Sequence, residues 1–147
     1  HYQQKEEQLI MVFYSMLFVE QIVQGGIVRG LSEAEMDKYR APFLEPASRK
    51  PIHQWPNEIP IAGEPADVHG VVAAYNGWLQ QTAVPKLLFY ATPGAIITEP
   101  LVGWCQQNLP NLTAVDIGPG RHYLQEDNPH LIGAELAKWV EALKVIV

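Results

Sequence analysis

Residues 113–123 read TAVDIGPGRHY, and this stretch decides the fold class. A short run of buried-strand type is followed by the turn GPG (118–120) and then by a loop that carries His122. The same order occurs earlier in KLLFYATPG (86–94), where an apolar run precedes the turn TPG (92–94). Two short apolar runs that each end in a turn predict two buried strands of the parallel type.

Helical patterns flank both strands. Apolar spacing predicts helices over residues 66–81, over residues 100–109 and from Pro129 onward, where Asn128 is the expected N-cap. Glu126 and Asp127 are interpreted as carboxylates that cap the N-terminus of this last helix and interact favourably with its dipole. The alternation of helix and strand is typical of an α/β fold. Because two strands cannot cover their own edges, we expect a larger sheet completed by residues outside this chain, which makes the chain a carboxy-terminal portion.

The amino-terminal part has a different pattern. Residues 6–24 predict a largely buried helix, and Ser32 with Glu35 forms a capping box for a short helix that ends near Arg40. Six of the twelve prolines fall within residues 42–65, which predicts an extended, turning connection that carries Trp55. This division predicts two domains, a helical lobe over residues 1–61 and an α/β part over residues 62–147.

Composition excludes several classes of protein. The 147 residues carry a net charge of −6 without a cluster of Lys and Arg, which is unlike a nucleic-acid or membrane surface. The single cysteine, Cys105, excludes an internal disulfide and a Cys-Cys metal pair. No apolar run is long enough for a spanning helix. The chain begins at His1 without a methionine, which we interpret as a cut end.

His122 is the strongest catalytic candidate. It lies just beyond the carboxyl end of a predicted strand, the edge at which open α/β sheets bind ligands. We interpret the other histidines as surface or structural residues. The sequence has no Gly-x-Ser-x-Gly elbow and no equivalent turn centred on Asp or Cys, so a nucleophile for His122 to work with is missing. The acid that orients His122 comes either from outside the chain, which we favour, or from Glu99.

Four stretches resemble the haloalkane dehalogenases of the α/β-hydrolase superfamily in order and spacing. They are IVRGLSEAEMDKYRAPF (27–43), WPNEIPIAGEPAD (55–67), VPKLLFYATPG (84–94) and VDIGPGRHYLQEDNPHLIG (115–133). The resemblance implies a partial α/β-hydrolase fold, with the later part of the helical cap domain over residues 1–61 and the last two sheet strands with their flanking helices over residues 62–147.

The resemblance also implies a chemistry. In this family an aspartate displaces halide from a carbon atom to form an alkyl-enzyme ester, and a histidine then activates water to hydrolyse it to an alcohol. His122 matches that histidine. The nucleophile and the Trp and Asn that bind halide have no counterpart here, so this chain alone is expected to be inactive. The family needs no cofactor or metal, and a cytoplasmic, bacterial enzyme is implied.

Substrate contacts carry over from the same resemblance. The residues that match cleft positions are apolar or aromatic, which suits a small haloalkane: Phe18, Ile22, Trp55, Pro56, Ile59, Ile96 and Tyr123. Trp55 stands where relatives often have Phe. The implied partners are the haloalkane, water, the halide ion and the missing amino-terminal portion of the same enzyme.

Two alternatives remain open from the sequence. Coelenterazine-type luciferases of the same superfamily are similar over LQED (124–127), and such a protein would emit light rather than release halide. A non-catalytic interpretation is that the chain is a complementing fragment that folds only with its other part.

Overall fold

The computed structural model describes residues 16–144, which divide into two compact units. One unit contains residues 16–25 and 30–75, and the other contains Gly26–Arg29 together with residues 76–144. The short segment 26–29 therefore groups with residues that follow it much later in the chain. The domain boundary expected after residue 61 stays a prediction.

The first unit is helical. A π-helix covers Phe18–Val23, and helix α1 covers Glu33–Arg40. Both bonds of the predicted capping box form, since the Ser32 side chain accepts from the Glu35 amide and the Glu35 carboxylate accepts from the Ser32 amide. The predicted end of α1 at Arg40 is confirmed, but the reason given for it is not, because Ala41 keeps helical dihedral angles before Pro42 and begins a 3-10 helix. Of the helix predicted over residues 6–24, the part up to position 15 lies outside the described residues.

The extended connection predicted for the proline-rich stretch is wrong. Two 3-10 helices, Ala41–Phe43 and Pro46–Arg49, lead into helix α2 at Lys50–Asn57, and Trp55 lies on α2. The prolines are tolerated because three of them occupy the first positions of these helices, where an amide hydrogen has no intrahelical acceptor. Pro56 lies inside α2, one residue before its end, and has no amide hydrogen to donate to the helix.

An ion-pair cluster around Arg40 ties α1 to the π-helix. The guanidinium donates to both oxygens of Glu20, at 2.7 and 2.9 Å, and also to Glu33 and Asp37. The hydrogen bonds from Arg40 hold the pKa of the Glu20 carboxyl below its ordinary value of 4.5. Because the folded pKa lies below the unfolded one, the stabilisation is complete above pH 4.5 and is lost as the pH falls through the folded pKa.

Glu20→Gln is therefore expected to lower the free energy of unfolding at pH 7, and the difference from the parent should close as the pH falls below 4.5. Urea unfolding at a series of pH values measures it. Glu33→Gln is the matched control, because that side chain contacts the same arginine but is 82% exposed, so a smaller effect is expected. A Glu20→Gln difference that stays constant down to pH 3 would contradict the linkage.

The second unit contains a parallel pair of strands with helices. Helix α3 at Ala66–Gln81 leads into it, followed by β1 at Lys86–Pro93, α4 at Glu99–Asn108, β2 at Leu112–Gly120, α5 at Leu124–Asp127 and α6 at Pro129–Lys144. The predicted order, the parallel pairing and the partial α/β fold are confirmed. In the register, Phe89 lies opposite Val115 and Pro93 opposite Gly120.

The predicted ends of the strands are wrong. Both turns, TPG and GPG, were expected after the strands, but β1 continues through Pro93 and β2 through Gly120. A register shift between Tyr90 and Thr92 accommodates the two prolines, which cannot donate to a regular ladder. The strands are therefore longer than their apolar runs, and the pairing reaches as far as the residue before Arg121.

Buried apolar side chains form a small core in each unit. Val19, Val23 and Met36 are buried in the first unit, and Ile27, Ala91, Val102 and Ile117 in the second. Arg49 is also buried, and it donates to the carbonyl oxygens of Phe43 and Leu44. Across residues 16–144, no helix combines the length and apolar character that crossing a bilayer needs.

Candidate active site

His122 lies two residues beyond the carboxyl end of β2 and its side chain is exposed. Its amide donates to the carbonyl oxygen of Gly26 at 2.9 Å, which fixes the backbone at this point. The imidazole meets the Tyr123 ring edge to face, with ring centroids 4.8 Å apart and planes at 74°. Burial raises the pKa of the Tyr123 hydroxyl, so this neighbour stays neutral at pH 7.

A cleft of about 240 Å³ opens beside His122. The end of β1, the segments that follow β1 and β2, and Leu124 of α5 form its wall, as expected for the carboxyl edge of a parallel sheet. The wall is mostly apolar, and its polar side chains include Arg121 and His122; the remaining lining residues are Phe89, Tyr90, Ala91, Gly94, Ile96, Ile97 and Leu124. An exposed imidazole against an apolar wall is a suitable arrangement for a base that acts on water next to an apolar substrate.

The first unit has its own apolar cleft, of about 270 Å³. Its lining residues come from the π-helix and from α2, and all of them are apolar or aromatic: Phe18, Pro51, Ile52, Trp55 and Pro56. Three of the residues predicted to contact substrate therefore line one cleft. Trp55 is 77% exposed, so the described residues leave most of it uncovered.

The other predicted contacts are placed differently. Ile96 lines the cleft beside His122, and Tyr123 packs against the His122 ring. Ile22 and Ile59 are half exposed and line neither cleft. Ile22 lies in the same π-helix as Phe18, but only Phe18 lines the cleft of the first unit. These substrate contacts stay predictions.

The carboxylates of Asp116 and Glu99 do not orient the His122 imidazole. Asp116 accepts from the Gly118 amide at 2.8 Å, and Glu99 begins helix α4 with an exposed side chain. Among residues 16–144, no carboxylate forms a hydrogen bond or ion pair with the His122 imidazole. The origin of the orienting acid stays a prediction. In the same range, no group of three or more His, Cys, Asp or Glu side chains is arranged to hold a metal ion.

The role predicted for Glu126 and Asp127 is wrong. Instead of serving the N-terminus of α6, both carboxylates bind residues 28 and 29. Asp127 Oδ1 accepts from the amides of Val28 and Arg29, each at 2.9 Å, and Glu126 pairs with the Arg29 guanidinium at 2.8 Å. The two residues lie at the end of helix α5, which the sequence did not predict. No local sequence pattern signals the pairing, because its partners lie 97 to 99 residues apart.

The proteins similar to this chain are haloalkane dehalogenases. No protein-family model matches the chain. A haloalkane dehalogenase from Sphingobium indicum UT26 is 44% identical over 135 residues, which is 91% of this chain and 45% of that protein. One from Bradyrhizobium diazoefficiens is 39% identical over 136 residues, 92% of this chain and 44% of that protein.

Solved structures give the same result. A haloalkane dehalogenase from Bradyrhizobium elkanii superposes with a TM-score of 0.92 at 36% identity, covering 100% of this chain and 54% of that one. An ancestral haloalkane dehalogenase gives 0.90 at 42% identity, covering 93% of this chain and 48% of that one. The chain corresponds to the carboxy-terminal portion of haloalkane dehalogenases. It spans about half the length of the dehalogenases that it matches. The parallel pair β1 and β2 is one part of their α/β-hydrolase fold.

Proposed function

We propose that this chain supplies the catalytic base and part of the substrate pocket of a haloalkane dehalogenase. The observation that carries the proposal is His122, exposed beside an apolar cleft at the carboxyl edge of the parallel strands. The similarity to dehalogenases over about nine-tenths of the chain supports it. A bacterial, cytoplasmic enzyme without a cofactor is part of the same proposal.

The reaction proceeds in two steps. In the first, an aspartate carboxylate forms a bond to the halogen-bearing carbon, and halide leaves with the electron pair of the broken bond. In the second, the His122 imidazole takes a proton from water as the hydroxide adds to the ester carbonyl. The ester C–O bond then breaks, the departing alkoxide takes the proton from the imidazolium and leaves as the alcohol, and the carboxylic acid loses its proton to solvent to regenerate the carboxylate. Two steps replace one difficult hydrolysis, and the base is needed in the second.

Substrate recognition depends on apolar contact. The proposed contact residues are those that the sequence singled out, Phe18, Ile22, Trp55, Pro56, Ile59, Ile96 and Tyr123, of which four line apolar clefts. A haloalkane offers little besides apolar surface and a halogen, so its binding follows from the area removed from water. Water and the halide ion complete the small-molecule partners.

The remaining partner is the amino-terminal portion that the relatives have. It supplies the nucleophile, the halide-binding Trp and Asn, and the acid in this proposal. Large apolar side chains of α3 and α6 are exposed in this chain, among them Val71, Trp78 and Leu136, at 66%, 54% and 43%. Such faces are typical of surfaces that another part of a fold covers. The chain alone is therefore proposed to be inactive.

Bromide release from 1-bromobutane tests the proposal. The complete enzyme is prepared by placing the amino-terminal portion of the Sphingobium indicum dehalogenase before this chain. We expect bromide release by the complete enzyme and none by the chain alone. A folded complete enzyme that releases no bromide would contradict the function, and light emission with coelenterazine would favour the luciferase alternative. Bromide release by the chain alone would contradict the need for a partner.

A further inference from the structure

Residues Gly26–Arg29 form a strap across the histidine loop, and they belong to the same compact unit as that loop. The Gly26 carbonyl oxygen accepts from two consecutive amides, those of His122 at 2.9 Å and Tyr123 at 3.1 Å. Ile27, buried to 4% exposure, anchors the strap in the core. One backbone carbonyl thus fixes the peptide on either side of the proposed base.

The strap approaches the loop closely. A Cβ atom on Gly26 would lie 2.7 and 2.8 Å from the Tyr123 ring and 3.2 Å from His122 Cβ. No side chain fits between strap and loop at that spacing, so a glycine is needed for the backbone to approach. A shift of the strap is therefore transmitted directly to the His122 backbone and to its ring neighbour.

Asp127 holds the other end of the strap. Its Oδ1 accepts from the Val28 and Arg29 amides, and the Arg29 side chain binds both the backbone and the carboxylate of Glu126. Asp127 Oδ2 is buried and, among the described residues, has no hydrogen-bond partner. A carboxylate with one oxygen fully used and the other shielded from water is suited to fixing backbone rather than to meeting substrate.

We propose that Asp127 is a positioning residue for His122, acting through the strap that its carboxylate binds. The inference rests on the proposed function, in which His122 must aim at a water molecule next to the ester. General-base catalysis needs hydrogen-bond contact with the proton that is removed, and a misplacement of about 1 Å can cost about 100-fold in rate. Loosening the strap should thus slow ester hydrolysis and leave ester formation unchanged.

The first test compares Asp127→Ala with Asp127→Asn in the complete enzyme. For Asp127→Ala we expect a burst of one bromide per active site at the parent rate and then a kcat lowered by about 10- to 100-fold. Asp127→Asn keeps an oxygen that can accept from both strap amides, so its kcat should stay within about threefold of the parent. Equal loss of the burst rate and kcat in Asp127→Ala, or an unchanged kcat, would overturn the proposal.

Arg29→Met provides a second, milder variant in case Asp127→Ala does not fold. It keeps the backbone amide that Asp127 binds and removes the guanidinium contacts to Glu126. We expect kcat to fall about threefold to tenfold with the burst rate retained, because one of the two attachments remains. Loss of burst amplitude in proportion to kcat would indicate a smaller folded fraction and would overturn the positioning role.

Hydrogen exchange separates this inference from the proposed function. Exchange at the amides of His122 and Tyr123 should be faster in Asp127→Ala than in the parent and unchanged in Asp127→Asn. If the complete enzyme releases no bromide but the exchange follows this pattern, the proposed function is contradicted, whereas the coupling of Asp127 to the His122 backbone is supported. If bromide is released and exchange is the same in all three proteins, the coupling through the strap is wrong.

Discussion

His122→Ala in the complete enzyme is expected to release one bromide per active site and then stop. The first step needs the nucleophile and the halide-binding groups, none of which is His122, so the alkyl-enzyme ester still forms. Without a base, water attacks the ester slowly, and steady turnover should fall by about 10²- to 10⁴-fold. The ester then accumulates as the dominant form of the protein.

Rapid-quench measurement of bromide gives the burst, and the mass of the intact protein gives the trapped alkyl group. His130→Ala is the matched control, because His130 is exposed in the first turn of α6 and lies outside the His122 cleft. The control should turn over as the parent does. Sustained turnover in His122→Ala would remove this residue from the mechanism, and failure to form the ester would show that it acts before hydrolysis.

Gly94→Ala is expected to produce a large loss of stability. Gly94 follows β1 with φ at +69°, a conformation that costs a residue with a side chain about 1 to 2 kcal/mol. An added Cβ would lie 2.4 Å from the Ile97 carbonyl oxygen and 3.1 Å from that of Ala91, and overpacking of this kind costs about 1 to 3 kcal/mol. Together they predict a loss of about 3 kcal/mol in the free energy of unfolding.

Urea unfolding of the complete enzyme measures this loss as a lower midpoint at an unchanged slope. The same substitution at Gly133 is the control, since it lies within α6 and an added Cβ meets nothing within 4 Å. Alanine in a helix interior should raise stability by about 0.5 to 1 kcal/mol. Opposite signs for the two variants are expected, and a neutral Gly94→Ala would contradict the steric argument.

Patterns among residues close in sequence predicted most of the helices and strands. The capping box at Ser32, the helix Ala66–Gln81 and the alternation of helix and strand depend on residues close in sequence, and all three are confirmed. The prediction for the proline-rich stretch was wrong because proline is disfavoured in the interior of a helix but is tolerated in its first turn. Counting prolines without assigning each to a helical position therefore gave the wrong prediction for Lys50–Asn57.

Tertiary contacts limited the prediction of the site. The position of His122 followed from a rule about strand ends, and it agrees with the structure. The partners of Glu126 and Asp127 did not follow from any rule, since a carboxylate beside a helix start resembles a cap whether or not it binds a distant segment. The π-helix at Phe18–Val23 likewise did not follow from the sequence, since no periodicity signals it.

The strap has a consequence for the order in which the parts of this chain fold. Val28 and Asp127 are 99 residues apart, so their bond closes only after all the residues between them have been synthesised. Closing so large a loop is slow compared with forming neighbouring helices. The backbone of His122 is therefore fixed late in folding, when residues 26–29 have returned to the loop that follows β2.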